Sequence, residues 1–73
     1  MNKDTPFLPN KQLREARLRR GWSQQYVADH VGTAIVTVKR WERGSQSASP
    51  YFRLKLCTLF GNSAEELGLL PEK

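Results

Sequence analysis

Residues 21–44 read GWSQQYVADHVGTAIVTVKRWERG, and this stretch decides the fold. Ser23 is a favourable N-cap for a helix that ends at Gly32, since glycine readily adopts the left-handed conformation that closes a helix. A second helix follows over about residues 34–43 and is again ended by glycine. The β-branched run IVTV at 35–38 favours a strand on local propensity. Because four residues between two glycines are too few to override the helical pattern, we predict two helices joined by a tight turn.

Further helices are expected on both sides of this pair. Asn10 is an N-cap for a segment over 11–20 that is rich in good helix formers and stops at a glycine. A Ser-Pro pair opens a helix over 50–60, since proline suits the first helical position. The sequence SAEE at 63–66 is a capping box that predicts a last short helix carrying Leu67. We therefore predict an all-α domain of five short helices.

The length of 73 residues corresponds to one small domain. We expect a flexible N-terminal arm at 1–10, where two prolines occur without periodicity, the helical domain at 11–70 and a tail at 71–73. No apolar run approaches the roughly 20 residues that cross a bilayer, and no apolar segment predicts a signal peptide. The expected location is therefore the cytoplasm.

Residue types argue against a metal site and against catalysis. The single cysteine and single histidine are too few for a structural zinc site of about four ligands, and one cysteine forms no internal disulfide. The sequence contains no nucleophile–base–acid set, no paired carboxylates and no glycine loop that would cradle a phosphate. We expect a protein that is not an enzyme and that has no metal, no cofactor and no small-molecule substrate.

The charge is unevenly distributed along the chain. The net charge is +5 and the isoelectric point is near 9.9. Residues 1–55 carry eleven of the twelve basic side chains and a net +7, whereas residues 56–73 carry a net −2. A basic surplus of this kind predicts a polyanion or an acidic surface as partner.

The predicted helix at 34–43 concentrates positive charge on its outward side. At about 100° per residue, an inward Val38 brings Trp41 and Glu42 close to the core direction. The residues that remain on the outward side and its flanks carry three positive charges and no negative one. They are Val36, Thr37, Lys39, Arg40 and Arg43. Such a ridge fits the DNA major groove, whereas the solvated face of an ordinary bundle helix usually mixes charges of both signs.

The order of these elements resembles a known family. The residues that carry the resemblance are Leu13-Arg14-Glu15-Ala16-Arg17, Gly21-Trp22-Ser23-Gln24-Gln25, Val27-Ala28, Gly32, Val38, Trp41-Glu42-Arg43-Gly44 and Pro50. They are similar to the Cro/C1-type, or xenobiotic-response-element-type, helix-turn-helix DNA-binding domain found at the N-terminus of longer bacterial transcriptional regulators. The resemblance runs from about residue 13 to residue 67. It implies a five-helix lambda-repressor-like bundle in which the second and third helices read DNA.

The resemblance also implies roles for individual residues. An ion pair is expected between Arg17, on the inward face of the first helix, and Glu42. Positions that match base-contacting residues are Ala34, Ile35, Val36, Thr37 and Arg40. Positions that match backbone-contacting residues are Ser23, Gln24, Gln25, Thr33, Lys39, Arg43, Ser45 and Ser47.

Two functions are compatible with these patterns. The first is binding of double-stranded DNA with moderate sequence preference, as the targeting domain of a transcriptional regulator that acts as a homodimer on DNA or is fused to a downstream regulatory domain. The second is a protein-interaction or antitoxin-like helix-turn-helix module that uses Ile35 and Val36 as an apolar contact. Salt separates them, because phosphate binding weakens steeply with added salt and apolar docking does not.

Overall fold

The computed structural model describes residues 9–69, which form four α-helices. In chain order they are α1 (Lys11–Arg19), α2 (Gln24–Val31), α3 (Ile35–Arg43) and α4 (Pro50–Phe60). No strand occurs within these described residues. The all-α prediction is confirmed, and the β-branched run at 35–38 lies in the first turn of α3.

The helix ends follow local sequence chemistry. The side chain of Ser23 accepts a hydrogen bond from the main-chain N–H of Tyr26 at 2.9 Å, and Ser49 caps α4 in the same way. Gly32 has a φ of 82° between α2 and α3, a left-handed conformation that few side chains tolerate. The N-cap of α3 is Ala34, whose side chain makes no capping bond, so this helix begins without the side-chain cap that starts the other three.

The core lies where all four helices meet. Ala28 has no exposed surface at the close approach of α2 to α3, where a larger side chain would push the helices apart. The buried apolar residues come from every helix, the loop before α4 and the C-terminal segment. They are Leu13, Ala16, Val27, Ala28, Val31, Val38, Trp41, Ala48, Leu56, Phe60, Leu67 and Leu69.

The prediction of a fifth helix is wrong. The expected capping box does form, since the main-chain N–H of Ser63 donates to Glu66 Oε1 at 2.9 Å and that of Glu66 donates to Ser63 Oγ at 3.0 Å. However, Gly68 adopts a φ of 67° and closes the segment after a single turn. Residues 64–68 are therefore a hydrogen-bonded turn, here called the C-terminal turn, which buries Leu67. Residues 1–8 and 70–73, which include most of the predicted arm and the whole tail, lie outside the described part.

The C-terminal turn is fastened to the start of α1 by two amide side chains. Asn10 Nδ2 donates to the carbonyl oxygens of Leu67 at 3.0 Å and Gly68 at 3.1 Å. Gln12 Nε2 donates to the carbonyl oxygens of Glu65 and Glu66, both at 3.2 Å. The Oδ1 atom of Asn10 also accepts from the N–H of Leu13, so one side chain both caps α1 and holds the turn.

Replacing Gly68 with alanine tests this fastening. A Cβ at Gly68 would lie 2.7 Å from Asn10 Oδ1, and the positive φ adds strain of about 1–2 kcal/mol. Gly21 is the matched control, because its φ is 71° and a Cβ there meets nothing within 4 Å. Urea unfolding should show a larger loss of stability for Gly68→Ala than for Gly21→Ala. Equal losses would mean that the contact with Asn10 contributes nothing.

The capping box predicts a pH dependence. The N–H of Ser63, and then the amide of Asn62, lower the pKa of Glu66 below its usual value by bonding to the charged carboxylate. Because the unfolded chain therefore takes up this proton first as pH falls, the contribution is present at neutral pH and is lost as pH falls through and below the usual glutamate pKa of 4.5. Stability of Glu66→Gln should change less over that range than stability of the unaltered chain. Glu65→Gln is the control, because it removes the same charge one residue away and leaves the hydrogen bonds of the capping box in place.

Candidate nucleic-acid interface

The outward side of α3 is cationic and free of carboxylates. Lys39, Arg40 and Arg43 are all exposed, and Val36 is 45% exposed among them. The inward side of the same helix buries Val38 and Trp41 in the core. The spacing of apolar residues thus turns the basic residues of α3 to solvent as one face.

The one carboxylate of α3 is buried and neutralised by α1. Arg17 Nε lies 2.6 Å from Glu42 Oε2, and Arg17 Nη2 donates to Glu42 Oε1 at 3.1 Å. Both side chains are less than 10% exposed. A two-pronged contact between guanidinium and carboxylate fixes orientation as well as distance. The pair therefore sets how α3 is presented relative to α1.

Two groups at the start of α2 complete this arrangement. Arg17 Nη1 donates to the carbonyl oxygen of Trp22 at 2.9 Å, and Gln24 Nε2 donates to Glu42 Oε1 at 3.1 Å. The ion pair is thereby bonded to three segments: α1, the N-terminus of α2, and α3. We call this arrangement, made of Arg17, Glu42, Gln24 and the Trp22 carbonyl, the ion-pair junction.

The side chains expected to contact phosphates at the start of α2 have partners inside the protein. Ser23 caps the helix, Gln24 belongs to the ion-pair junction, and Gln25 Nε2 donates to Asp29 Oδ1 at 2.7 Å. The first N–H groups of a helix have no partner within the helix, so the main chain here remains suited to an anion. The hydroxyl proton of Ser23 also stays free to donate, because its oxygen acts only as an acceptor in the cap.

The other predicted site residues fall into two groups by exposure. Ala34 and Ser47 are exposed beside the ends of α3. The remaining ones are half-buried, and Ile35 packs against the core. These half-buried residues are Thr33, Ile35, Thr37 and Ser45.

Sequence reasoning missed the partners of Arg20. Its guanidinium donates to the carbonyl oxygen of Phe60 at 2.6 Å, to that of Ala16 at 3.0 Å and to Asn62 Oδ1 at 3.0 Å. It also lies over the rings of Trp22 and Phe60, at 5.6 and 5.2 Å from their centroids. Arg20 thus provides a hydrogen-bond donor for a main-chain carbonyl at the carboxyl end of α4. The only signal in the sequence is its helical spacing from Leu13, Ala16 and Arg17, which are buried, and this spacing points to a partner without naming one.

Comparison with known proteins agrees with this geometry. A family model described as Helix-turn-helix matches residues 13–67, which is most of the chain. This chain belongs to the Cro/C1-type helix-turn-helix family. The helix-turn-helix pair is α2 and α3.

Two relatives of this helix-turn-helix protein differ in how much of their length it covers. The competence pilus inhibition repressor of Acinetobacter baylyi is 35% identical over 60 residues, which cover 82% of this chain and 54% of the relative. The chain therefore spans about half the length of that curated relative. The crystal structure of the restriction-modification controller protein C.AhdI from Aeromonas hydrophila superimposes with a TM-score of 0.73 at 34% identity, covering 80% of this chain and 88% of that one.

The described part of the helix-turn-helix domain contains neither a metal-binding cluster nor a membrane-spanning helix. Over residues 9–69, no group of three or more His, Cys, Asp or Glu residues is placed to hold a metal ion. Within the same part of the chain, no helix has the length and apolar character needed to cross a membrane.

Removing one member of the ion pair should lower the free energy of unfolding much more than removing both. Glu42→Leu leaves the guanidinium of Arg17 buried without its carboxylate, at a cost of about 3–5 kcal/mol. The double variant Arg17→Met with Glu42→Leu leaves no buried charge and should recover much of that loss. Urea denaturation of the two single variants and the double variant measures the coupling. Additive losses would show that the two side chains do not act as a pair.

Proposed function

We propose that this chain binds double-stranded DNA with moderate sequence preference, with α3 in the major groove, as the targeting domain of a transcriptional regulator at the nucleoid. The observation that carries the proposal is the outward face of α3. Three exposed cations lie there without an acidic neighbour on the helix face, because the only carboxylate of α3 is buried against Arg17. The major groove accommodates one α-helix, and a face of this charge matches its phosphate walls.

Within this proposal, the residues differ in which part of the DNA they contact. Arg40 is the candidate for guanine, because a guanidinium donates two parallel hydrogen bonds to the O6 and N7 atoms. Val36 and Ala34 offer only apolar contact, and the half-buried Ile35 and Thr37 have less surface to offer. Lys39, Arg43, Thr33, Ser45 and Ser47 are assigned to the sugar–phosphate backbone.

The N-terminus of α2 is assigned to a backbone phosphate through its main chain. The donors available there are main-chain N–H groups, the Ser23 hydroxyl and the second amide hydrogen of Gln24 and of Gln25, since each amide uses only one hydrogen in its bond to a carboxylate. A phosphate at this point would lie next to the ion-pair junction, which orients α3. One contact would then set the register of the recognition helix on the duplex.

One such domain alone makes too few contacts with DNA to bind a specific site tightly. Specific binding at physiological salt usually involves two copies on half-sites about one helical turn apart, or fusion to an oligomerising module. Both arrangements fit the proposal. The family relatives named as a repressor and a controller protein support a role in regulation and give no support to an enzymatic one.

The protein-interaction alternative has less structural support. It relies on Ile35 and Val36 as one apolar surface, yet Ile35 packs against the core and Val36 alone is exposed on the cationic face. A stable protein interface usually covers about 800 Å² on each partner. One valine surrounded by cations provides much less apolar area than that.

An amide NMR titration of the chain with a random-sequence duplex tests the proposal without knowledge of the operator. At low salt, shifts should cluster at 23–26 and 33–47, and they should weaken steeply at moderate salt. Shifts that do not respond to salt, or that cluster on the C-terminal turn, would contradict DNA binding through α3.

Replacing Arg40 with alanine should relax base preference at one position and weaken binding by about 1–3 kcal/mol. Selection from a random duplex library, followed by titration of single-position variants, measures both effects. Arg19→Ala is the matched control, since it removes the same charge from a groove beside Glu15 and Glu66 on α1 and the C-terminal turn. An unchanged sequence preference in Arg40→Ala would contradict the assignment to a base.

A further inference from the structure

Phosphate binding does not explain the exposed valine on α3. Val36 is 45% exposed and is the one large hydrophobic residue of α3 that is exposed to this degree. It lies four residues before Arg40 and seven before Arg43, and therefore in the same row along the helix. An apolar side chain in a row of cations gains nothing from a phosphate or from water.

The position of Val36 relative to Arg40 is set by helix geometry. Four residues span about 6 Å along the helix axis. Successive base pairs are stacked about 3.4 Å apart. When Arg40 reaches a base edge in the groove, Val36 therefore faces the groove about two base-pair steps away.

The major groove offers one apolar group on the base edges. Thymine carries a methyl group at C5, whereas cytosine carries hydrogen there and the purine edges present polar atoms. A valine donates and accepts no hydrogen bonds, so among base edges it gains only from that methyl group. 5-Methylcytosine presents the same group at the same ring position, because the modification adds it to C5.

We propose that Val36 is a specificity-determining residue that recognises the 5-methyl group of a pyrimidine, about two base-pair steps from the base that Arg40 contacts. The inference depends on the proposed DNA-binding function. Neighbouring residues are less suited to this role, since Ile35 is packed against the core and Ala34 offers a single methyl group at the N-cap. Thymine and 5-methylcytosine are the two sources of the group, and the test separates them.

The first arm removes the methyl group from DNA and leaves everything else in place. A preferred duplex is selected from a random library by the whole chain, and each thymine is then replaced singly by deoxyuridine. Binding should weaken about fourfold at one thymine per half-site, which is the effect of losing one buried methyl-sized group. Deoxyuridine at the other thymines should have little effect.

The second arm asks whether the methyl group or the base is recognised. At the sensitive position, the T·A pair is replaced by C·G and by 5-methylcytosine·G. The methylated pair should bind more tightly than the unmethylated one by a factor similar to that between thymine and deoxyuridine. Equal binding of these two duplexes would overturn recognition of the methyl group.

The third arm removes the valine. Val36→Ala should bind the thymine and deoxyuridine duplexes equally, with an affinity for the thymine duplex that falls to about that of the unaltered chain for the deoxyuridine duplex. Leu54→Ala is the matched control, because Leu54 is an exposed large hydrophobic residue (67% exposed) on α4 and not on α3, and its loss should leave the discrimination unchanged. Circular dichroism of both variants checks that the helices are retained.

The two proposals fail in different ways. A selected duplex without a sensitive thymine, a selection without any preference, or discrimination that survives in Val36→Ala would each overturn the role of Val36 while DNA binding stands. Absence of salt-sensitive binding of the unaltered chain to any duplex would overturn the DNA-binding function itself.

Discussion

The buried pair between Arg17 and Glu42 is the constraint on which the rest of the arrangement depends. Apolar contacts among short helices fix their distance but leave rotation and sliding poorly determined, whereas a forked guanidinium–carboxylate contact fixes both. The carbonyl of Trp22 and the amide of Gln24 extend the pair to the start of α2. Because the carboxylate of Glu42 is buried in this inward contact, the charged side chains on the outward side of α3 are all positive. The same interaction therefore orients the helix and shapes its electrostatics.

Much of the fold could be predicted from the sequence because its signals are local. Ser23 and Ser49 cap their helices with their own side chains, and Gly32 turns the chain through a positive φ. Where local signals conflicted, at 35–38, the buried Val38 and the core around it gave a helix. The prediction of a fifth helix was wrong, and the reason is also local. Its capping box forms, but Gly68 adopts a left-handed conformation after one turn and ends it.

Less of the candidate site could be predicted, since its hydrogen bonds join residues far apart in sequence. The outward row on α3 depends only on helical spacing and follows from the sequence. The amide of Gln24 points to a carboxylate 18 residues away, and Arg20 reaches a carbonyl 40 residues away. Main-chain carbonyls carry no sequence signature, so no motif predicts that Arg20 binds the end of α4. Helical spacing from buried residues indicates only that an arginine there has some acceptor nearby.

The bonds from Asn10 to the carbonyls of Leu67 and Gly68 bring the first helix and the last turn into direct contact. Asn10 and Gly68, 58 residues apart in sequence, thus lie side by side at the surface of the domain. A domain with this property is suited to insertion into a surface loop of another protein, because a host loop need not open wide to accept it. It is equally suited to circular permutation, in which a short linker joins residue 69 to residue 9 and new ends are cut in the loop between α3 and α4. In a host protein, the two attachment points would then set the orientation of the helix-turn-helix pair.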